Sequence, residues 1–170
     1  MLKKKNLIFL STLFLIPALS ATVQANSGYL DVVFESSARG PKLQFRPQEI
    51  TALIDNDASP MQAVRAQVKG SWRSPGNKNP VLLQYTGMNI NVLNSAGTQA
   101  YPGVTLRLTP NTEASILKSA RPSRLSLNAR HVLDGDIRLE RGMQAVITIF
   151  VKLGKRTGRV ILPNVAFRYW

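Results

Sequence analysis

The sequence predicts an all-β chain, an antiparallel β-sandwich of immunoglobulin-like type. Three observations carry that expectation. Apolar residues recur with a period of two rather than 3.6 along nearly the whole chain. Clusters of Gly, Pro, Asn, Asp and Ser interrupt the apolar runs at short intervals. Each run is short and supplies one layer of core residues, which suits two packed sheets.

A leader precedes the strands. Lys3, Lys4 and Lys5 form a basic start, Leu7 to Leu19 an apolar stretch, and Val23-Gln24-Ala25 a small-residue cleavage site, so residues 1–25 are read as a signal peptide. Pro17 breaks the apolar run, which is too short to span a bilayer comfortably. The exported product is then expected to start near Asn26, leaving 145 of the 170 residues as one domain.

Within that domain Leu30, Val32 and Phe34 alternate first, with Gly28 on the same face and Asp31 and Glu35 opposite. The turn Arg39-Gly40-Pro41 leads to a strand over Lys42 to Arg46. Val64, Ala66, Val68, Gly70 and Trp72 alternate next and stop at Ser74-Pro75-Gly76-Asn77. Two shorter strands, Val81 to Tyr85 and Ile90 to Leu93, end at Asn94-Ser95-Ala96-Gly97. Val104, Leu106 and Leu108 follow, then Arg124 to Leu127, the turn Asp134-Gly135, and Asp136 to Leu139. Ala145, Ile147, Ile149 and Val151 run into the turn Leu153-Gly154-Lys155, and Arg159 to Trp170 form the final strand. Only two segments read as helical: Thr112 to Ser119, N-capped by Asn111 with Ile116 and Leu117 inward, and Asp55 to Gln62, weakened by Pro60.

On the final strand a regular pleat puts Ile161, Val165, Phe167 and Tyr169 on one face. An apolar strand at an open edge is a template for another polypeptide. The frame of a membrane barrel is the wrong one here, because it would place Arg168 and Asn164 against lipid beside Trp170 and Ala166.

Composition removes several chemistries. The chain has no cysteine, which excludes disulfides, thiolate catalysis and Cys-ligated zinc. His131 is the only imidazole, and beside Asp134 and Asp136 it reads as part of a surface hairpin rather than a metal or acid–base site. Nucleotide-binding glycine loops, nucleophile elbows and zinc-protease motifs are absent, so no enzyme activity, metal or cofactor is expected.

The formal charge is +13, and losing the three leader lysines lowers it to +10. Such a field attracts polyanions. Lys152, Lys155, Arg156 and Arg159 cluster around the last hairpin as contacts for an anionic ligand, while Lys69, Arg73, Lys78, Arg121 and Arg130, read as loop residues, would carry polyanion binding by a self-sufficient module. Nucleic acid is not expected as a partner, because the aromatic residues near the basic hairpin alternate as buried residues do.

The end of the chain resembles the C-terminal signature of chaperone–usher pilus subunits. Tyr169 is penultimate, Phe167, Val165 and Ile161 alternate before it, and Gly158 stands thirteenth from the end, one place short of that family's usual glycine. The plan of leader, short extended segment and all-β domain is similar as well. The resemblance implies an immunoglobulin-like sandwich that is incomplete and is completed by donor-strand exchange. Its edge strand, with Gly158, Ile161, Val165, Phe167 and Tyr169, would bind a periplasmic pilus chaperone, then an outer-membrane usher and other fimbrial subunits. Residues 39–170 would be the pilin-like domain. Residues 26–38, with Gly28, Leu30, Val32 and Phe34, would be a donor strand or else the first strand of the chain's own sheet.

The missing cysteines depart from the disulfide that many such pilins carry and point to the Fae/Fan-type branch. The resemblance implies a minor subunit at the cell surface, at fibre initiation or tip, contributing to adhesion to a host anionic glycan or protein receptor. The alternative is a self-sufficient secreted basic sandwich that binds anionic glycans or lipopolysaccharide.

Overall fold

The computed structural model describes residues 28–36, 39–56, 61–111, 114–117 and 121–170, so the expected signal peptide lies outside the described residues. Among the described residues ten strands follow in chain order: β1 Leu30–Asp31, β2 Val33–Phe34, β3 Gln44–Asp55, β4 Ala63–Arg73, β5 Val81–Leu93, β6 Leu106–Leu108, β7 Ala114–Leu117, β8 Ser123–Val132, β9 Gln144–Leu153 and β10 Arg156–Tyr169. The fold is all-β. Its strands form one sheet in the order β6-β5-β9-β10-β3-β4-β8, with β1 added to β3, β2 to β10 and β7 to β5.

The sheet curls until it is nearly closed into a barrel, with an unsealed seam between β6 and β8. Asn111 bridges that seam: its N–H donates to the Asn128 carbonyl at 2.9 Å, and its side-chain oxygen accepts the Asn128 N–H at 2.9 Å. The sheet is mixed rather than purely antiparallel, because Phe167–Tyr169 of β10 run parallel to Ala52–Ile54 of β3. The sequence could not reveal this, since the direction of a partner strand leaves no local signal.

Alternation built the core as expected. Val64, Ala66, Val68 and Trp72 of β4 and Ala145, Ile147, Ile149 and Val151 of β9 are all buried. Trp72 anchors the interior, with Phe45 at 4.5 Å and Tyr85 at 6.0 Å between ring centroids. Gly70 makes room for that stack. A Cβ on it would lie 2.4 Å from Cε2 and Cζ of Phe45 and 2.6 Å from the Arg46 carbonyl oxygen. Alanine normally stabilises a strand relative to glycine, but here Phe45 has no space to yield. Gly70→Ala should therefore lower stability by about 1–3 kcal/mol, read as an earlier urea midpoint. An unchanged or later midpoint would show that the stack is loose.

Three local expectations are corrected, and a fourth lies largely outside the described residues. Within the helical candidate Thr112 to Ser119, Ala114–Leu117 form a strand, β7, paired with Val81–Gln84 of β5, while residues 112, 113, 118 and 119 lie outside the described residues. The free edge of β5 offers those residues ladder hydrogen bonds, and tertiary pairing outweighs weak helix propensity. Leu117 is buried as expected, whereas Ile116 faces out. Val81 to Tyr85 and Ile90 to Leu93 are one strand, β5, with a register shift between Tyr85 and Gly87. Asp136 to Leu139 is a loop held by side chains: Leu139 N–H donates to Gln62 Oε1 at 2.8 Å, and Arg138 N–H donates to the Tyr101 hydroxyl at 3.1 Å. In the second helical candidate, Asp55 ends β3, and residues 57–60 lie outside the described residues.

Candidate functional site

β10 is long enough to serve two parts of the sheet. Arg156–Leu162 and Val165–Ala166 pair antiparallel with β9, and Phe167–Tyr169 then pair with β3. Between these stretches the register shifts by one residue at Pro163-Asn164, where Asn164 adopts φ 58°. Asn tolerates this left-handed conformation better than most residues. A one-residue slip turns every later side chain to the other face. Gly158, Val160 and Leu162 therefore point inward before the kink, and Val165 and Phe167 after it. Ile161 thus leaves the face predicted for it and is 48% exposed. Tyr169, also 48% exposed, borders an end cleft of about 650 Å³ with Gln62, Ile137 and Arg138. Nor is β10 an open edge, because β9 and β3 flank it in turn.

β3 and β10 share a ladder over only three residues. At the far end of this interval the segment Leu30–Phe34 lies between them. Leu30 and Asp31 pair with Phe45 and Gln44 of β3, whereas Val33 and Phe34 pair with Arg159 and Gly158 of β10. The segment changes partner at Val32, which is buried and donates its N–H to the Leu43 carbonyl at 2.9 Å. Leu30 and Phe34 are half-buried against the same core, with Asp31 and Glu35 outside, so the predicted alternation is present. Gly28 takes no part: it is exposed, and among the described residues nothing lies within 4 Å of its Cβ position. Residues 30–34 here belong to the chain's own sheet.

Gly158 is the floor of this slot. A Cβ there would stand 2.8 Å from Cγ1 of Val32, 2.9 Å from Cδ1 of Phe34 and 3.1 Å from the Val33 carbonyl oxygen. Two motifs from opposite ends of the chain therefore meet in one contact. Polar clasps hold the segment along its length. The Arg73 guanidinium lies 3.6 Å from the Tyr29 ring centroid, and Gln44 Nε2 donates to Asp31 at 2.7 Å. Thr157 donates its hydroxyl to Glu35 at 2.8 Å, and Glu35 N–H donates to the Thr157 carbonyl at 3.0 Å. Each such exposed contact contributes only about 0.2–1 kcal/mol.

The basic hairpin divides by face. Lys152 and Arg159 lie on the outer face of β9 and β10, and exposed Lys155 occupies the turn. Arg156 is half-buried and reaches over the segment. Its guanidinium covers the Phe34 ring at 3.8 Å and donates from Nη1 to the Pro41 carbonyl at 3.0 Å. It is part of the clasp.

His131 sits half-buried at the end of β8, paired with Val64. Among the described residues no three His, Asp or Glu side chains converge to hold a metal ion. Sequence reasoning missed Tyr29, Arg73 and Arg156 as clasp residues. For Tyr29 the available signal was an aromatic residue directly ahead of the alternating run. It also missed the kink, although Pro163-Asn164 is a turn dipeptide inside an apolar run. No protein-family model matches the chain, and no curated protein matches it.

Proposed function

We propose that this protein is a minor subunit of a surface fimbria assembled by the chaperone–usher pathway, and that Leu30–Phe34 is its exchangeable strand. In this reading the fold is an immunoglobulin-like sandwich that is incomplete without that strand. The chain passes through the periplasm in the grip of a chaperone, reaches an outer-membrane usher and joins other subunits at the cell surface. The observation that carries the proposal is the seating of Val32 and Phe34 on Gly158, in the interval where β3 and β10 part.

The energetics suit exchange. The segment makes two register pairs with each neighbour and buries one residue fully, Val32. Burial of a whole Val, Leu or Phe side chain stabilises by about 1.5–3 kcal/mol, so the segment closes the slot for a few kcal/mol. A strand from a neighbour, with the same alternation and a longer ladder, displaces it by strand addition.

The same seating favours a second reading. With its own segment in the slot, the sheet needs no outside strand, as expected of a self-sufficient secreted module.

A cysteine pair separates the two. Val33 and Arg159 are cross-strand partners with exposed side chains, and the native chain contains no thiol. Antiparallel partners lie about 4.5–5.5 Å apart at Cα, within disulfide reach. Val33→Cys with Arg159→Cys, oxidised on intact cells, should give a ladder of covalent multimers in non-reducing electrophoresis. If only an intramolecularly bridged monomer forms, the segment is not exchanged and the self-sufficient module is the correct reading.

A further inference from the structure

We propose that the outer surface of β4 and β8, flanked by Trp170, is a binding site for an anionic saccharide bearing carboxylate or sulfate groups. The inference rests on residues remote from the slot and holds for either reading of it.

The registers place Leu53, Arg65 and Arg130 in one outward row across β3, β4 and β8, with Thr51, Gln67 and Asn128 in the next. Asp55 fixes the two guanidiniums. Its carboxylate is buried, with Oδ2 at 3.1 Å from Nε and 3.0 Å from Nη2 of Arg65 and 3.6 Å from Nε of Arg130. Both arginine side chains remain nearly half exposed. Two cations share one carboxylate, so positive charge is left over, held in place by a buried anchor. A guanidinium carries five N–H donors, and the anchor engages only some of them. Planar forks of this kind match carboxylate and sulfate oxygens.

Trp170 supplies what a purely electrostatic patch lacks. Its backbone N–H donates to the Ile54 carbonyl at 3.0 Å, its ring centroid lies 4.8 Å from the Arg65 guanidinium carbon, and it is 72% exposed. The exposed indole stands beside fixed cations as an aromatic platform next to positive charge. Trp170, Arg65, Arg130, Gln67, Asn128 and Thr109 line a groove of about 640 Å³, within the size range of small-ligand sites. The lining matches a sugar acid group by group: indole for the C–H face of a ring, amides for hydroxyls, guanidiniums for the acid. Lys69, Arg46 and Arg124 continue the positive face along the same strands, with Glu49 countering Lys69 at 2.7 Å. That field accelerates capture of a polyanion. An acidic peptide would answer the charge but would leave the amide and indole positions unused.

The test is calorimetric titration of the purified chain with three probes: a heparin-derived tetrasaccharide, a delipidated lipopolysaccharide core oligosaccharide, and polyglutamate. One of the two saccharides should bind, and Trp170→Ala and Arg130→Gln should each weaken that binding by about ten-fold or more. Lys155→Ala, in the distant hairpin turn, should leave it unchanged. Arg130→Gln keeps the Arg65–Asp55 pair, and Trp170 is exposed, so circular dichroism should report both variants folded. Preference for the tetrasaccharide assigns the site to extracellular glycans, and preference for the core oligosaccharide assigns it to a bacterial surface. The proposal is overturned if neither saccharide binds, if Lys155→Ala weakens binding as much as Arg130→Gln, or if polyglutamate binds as tightly with the same dependence on Trp170.

Discussion

Phe167→Ser should abolish the cooperative unfolding transition at room temperature, whereas Tyr169→Ser should move its midpoint only slightly. The two aromatics stand two places apart on β10 but have different surroundings. Phe167 is 3% exposed, pairs with Ala52 and donates its N–H to the Met143 carbonyl at 3.1 Å, at the point where β10 passes from β9 to β3. Truncating a buried phenylalanine costs about 3–5 kcal/mol. The serine hydroxyl, unpaired in an apolar site, adds about 1–3 kcal/mol. Together these approach the whole stability of a typical domain, about 5–15 kcal/mol. Tyr169 has about half its surface in solvent and borders the end cleft, so its loss should cost about 1 kcal/mol or less. Urea unfolding followed by fluorescence of buried Trp72 reads both. Equal losses in the two variants would mean that Tyr169 belongs to the packed interior and that the face assignment along β10 is wrong. If Tyr169 instead serves docking, as the fimbrial reading holds, its serine variant should fold and yet fail in assembly.

The contrast between these aromatics marks where sequence reading ends. Period-two alternation identified β4, β9 and the inward faces of both, because one face of each is buried along its whole length. It failed on β10, where the alternation is real on both sides of Pro163-Asn164 but the two halves are out of phase. Treating the strand as regular joined Ile161 to Val165 across the slip. The slot was legible in its parts: Leu30, Val32 and Phe34 were distinguished by alternation, and Gly158 by the resemblance of the C-terminal residues to those of pilus subunits. Their contact was not legible, since no local rule brings residues from opposite ends of a chain together. β7 was misread for a related reason, its strand state being set by the free edge of β5 rather than by its own residues. The Asp55, Arg65 and Arg130 cluster was hidden for the same cause, as its members converge only through the registers of β3, β4 and β8.

Deleting residues 28–36 should destabilise the chain by about 4–6 kcal/mol, and a synthetic peptide of those nine residues should recover part of that loss in trans. The estimate follows from the loss of Val32 and most of the burial of Leu30 and Phe34, at about 1.5–3 kcal/mol for a fully buried side chain. Deletion also wets Leu43, Phe45 and Val160, which are buried in the intact chain, and frees the Leu43 and Thr157 carbonyls. Gly158 would then face water with no side chain to shield the floor of the slot. Restoration is governed by mass action: peptide at a hundred times its Kd returns about 2.7 kcal/mol. The midpoint of the truncated chain should therefore rise with peptide concentration, and a peptide carrying Val32→Asp should be inert, because its charge would enter an apolar site without a partner. A truncated chain that keeps the native midpoint would mean that the slot is closed without the segment, and strand exchange there would have nothing to fill. A destabilised chain rescued only by the native peptide defines β3 and β10 as a receptor for a strand of this alternation. From that result, assembly of one subunit by the segment of the next differs only in the covalent origin of the strand.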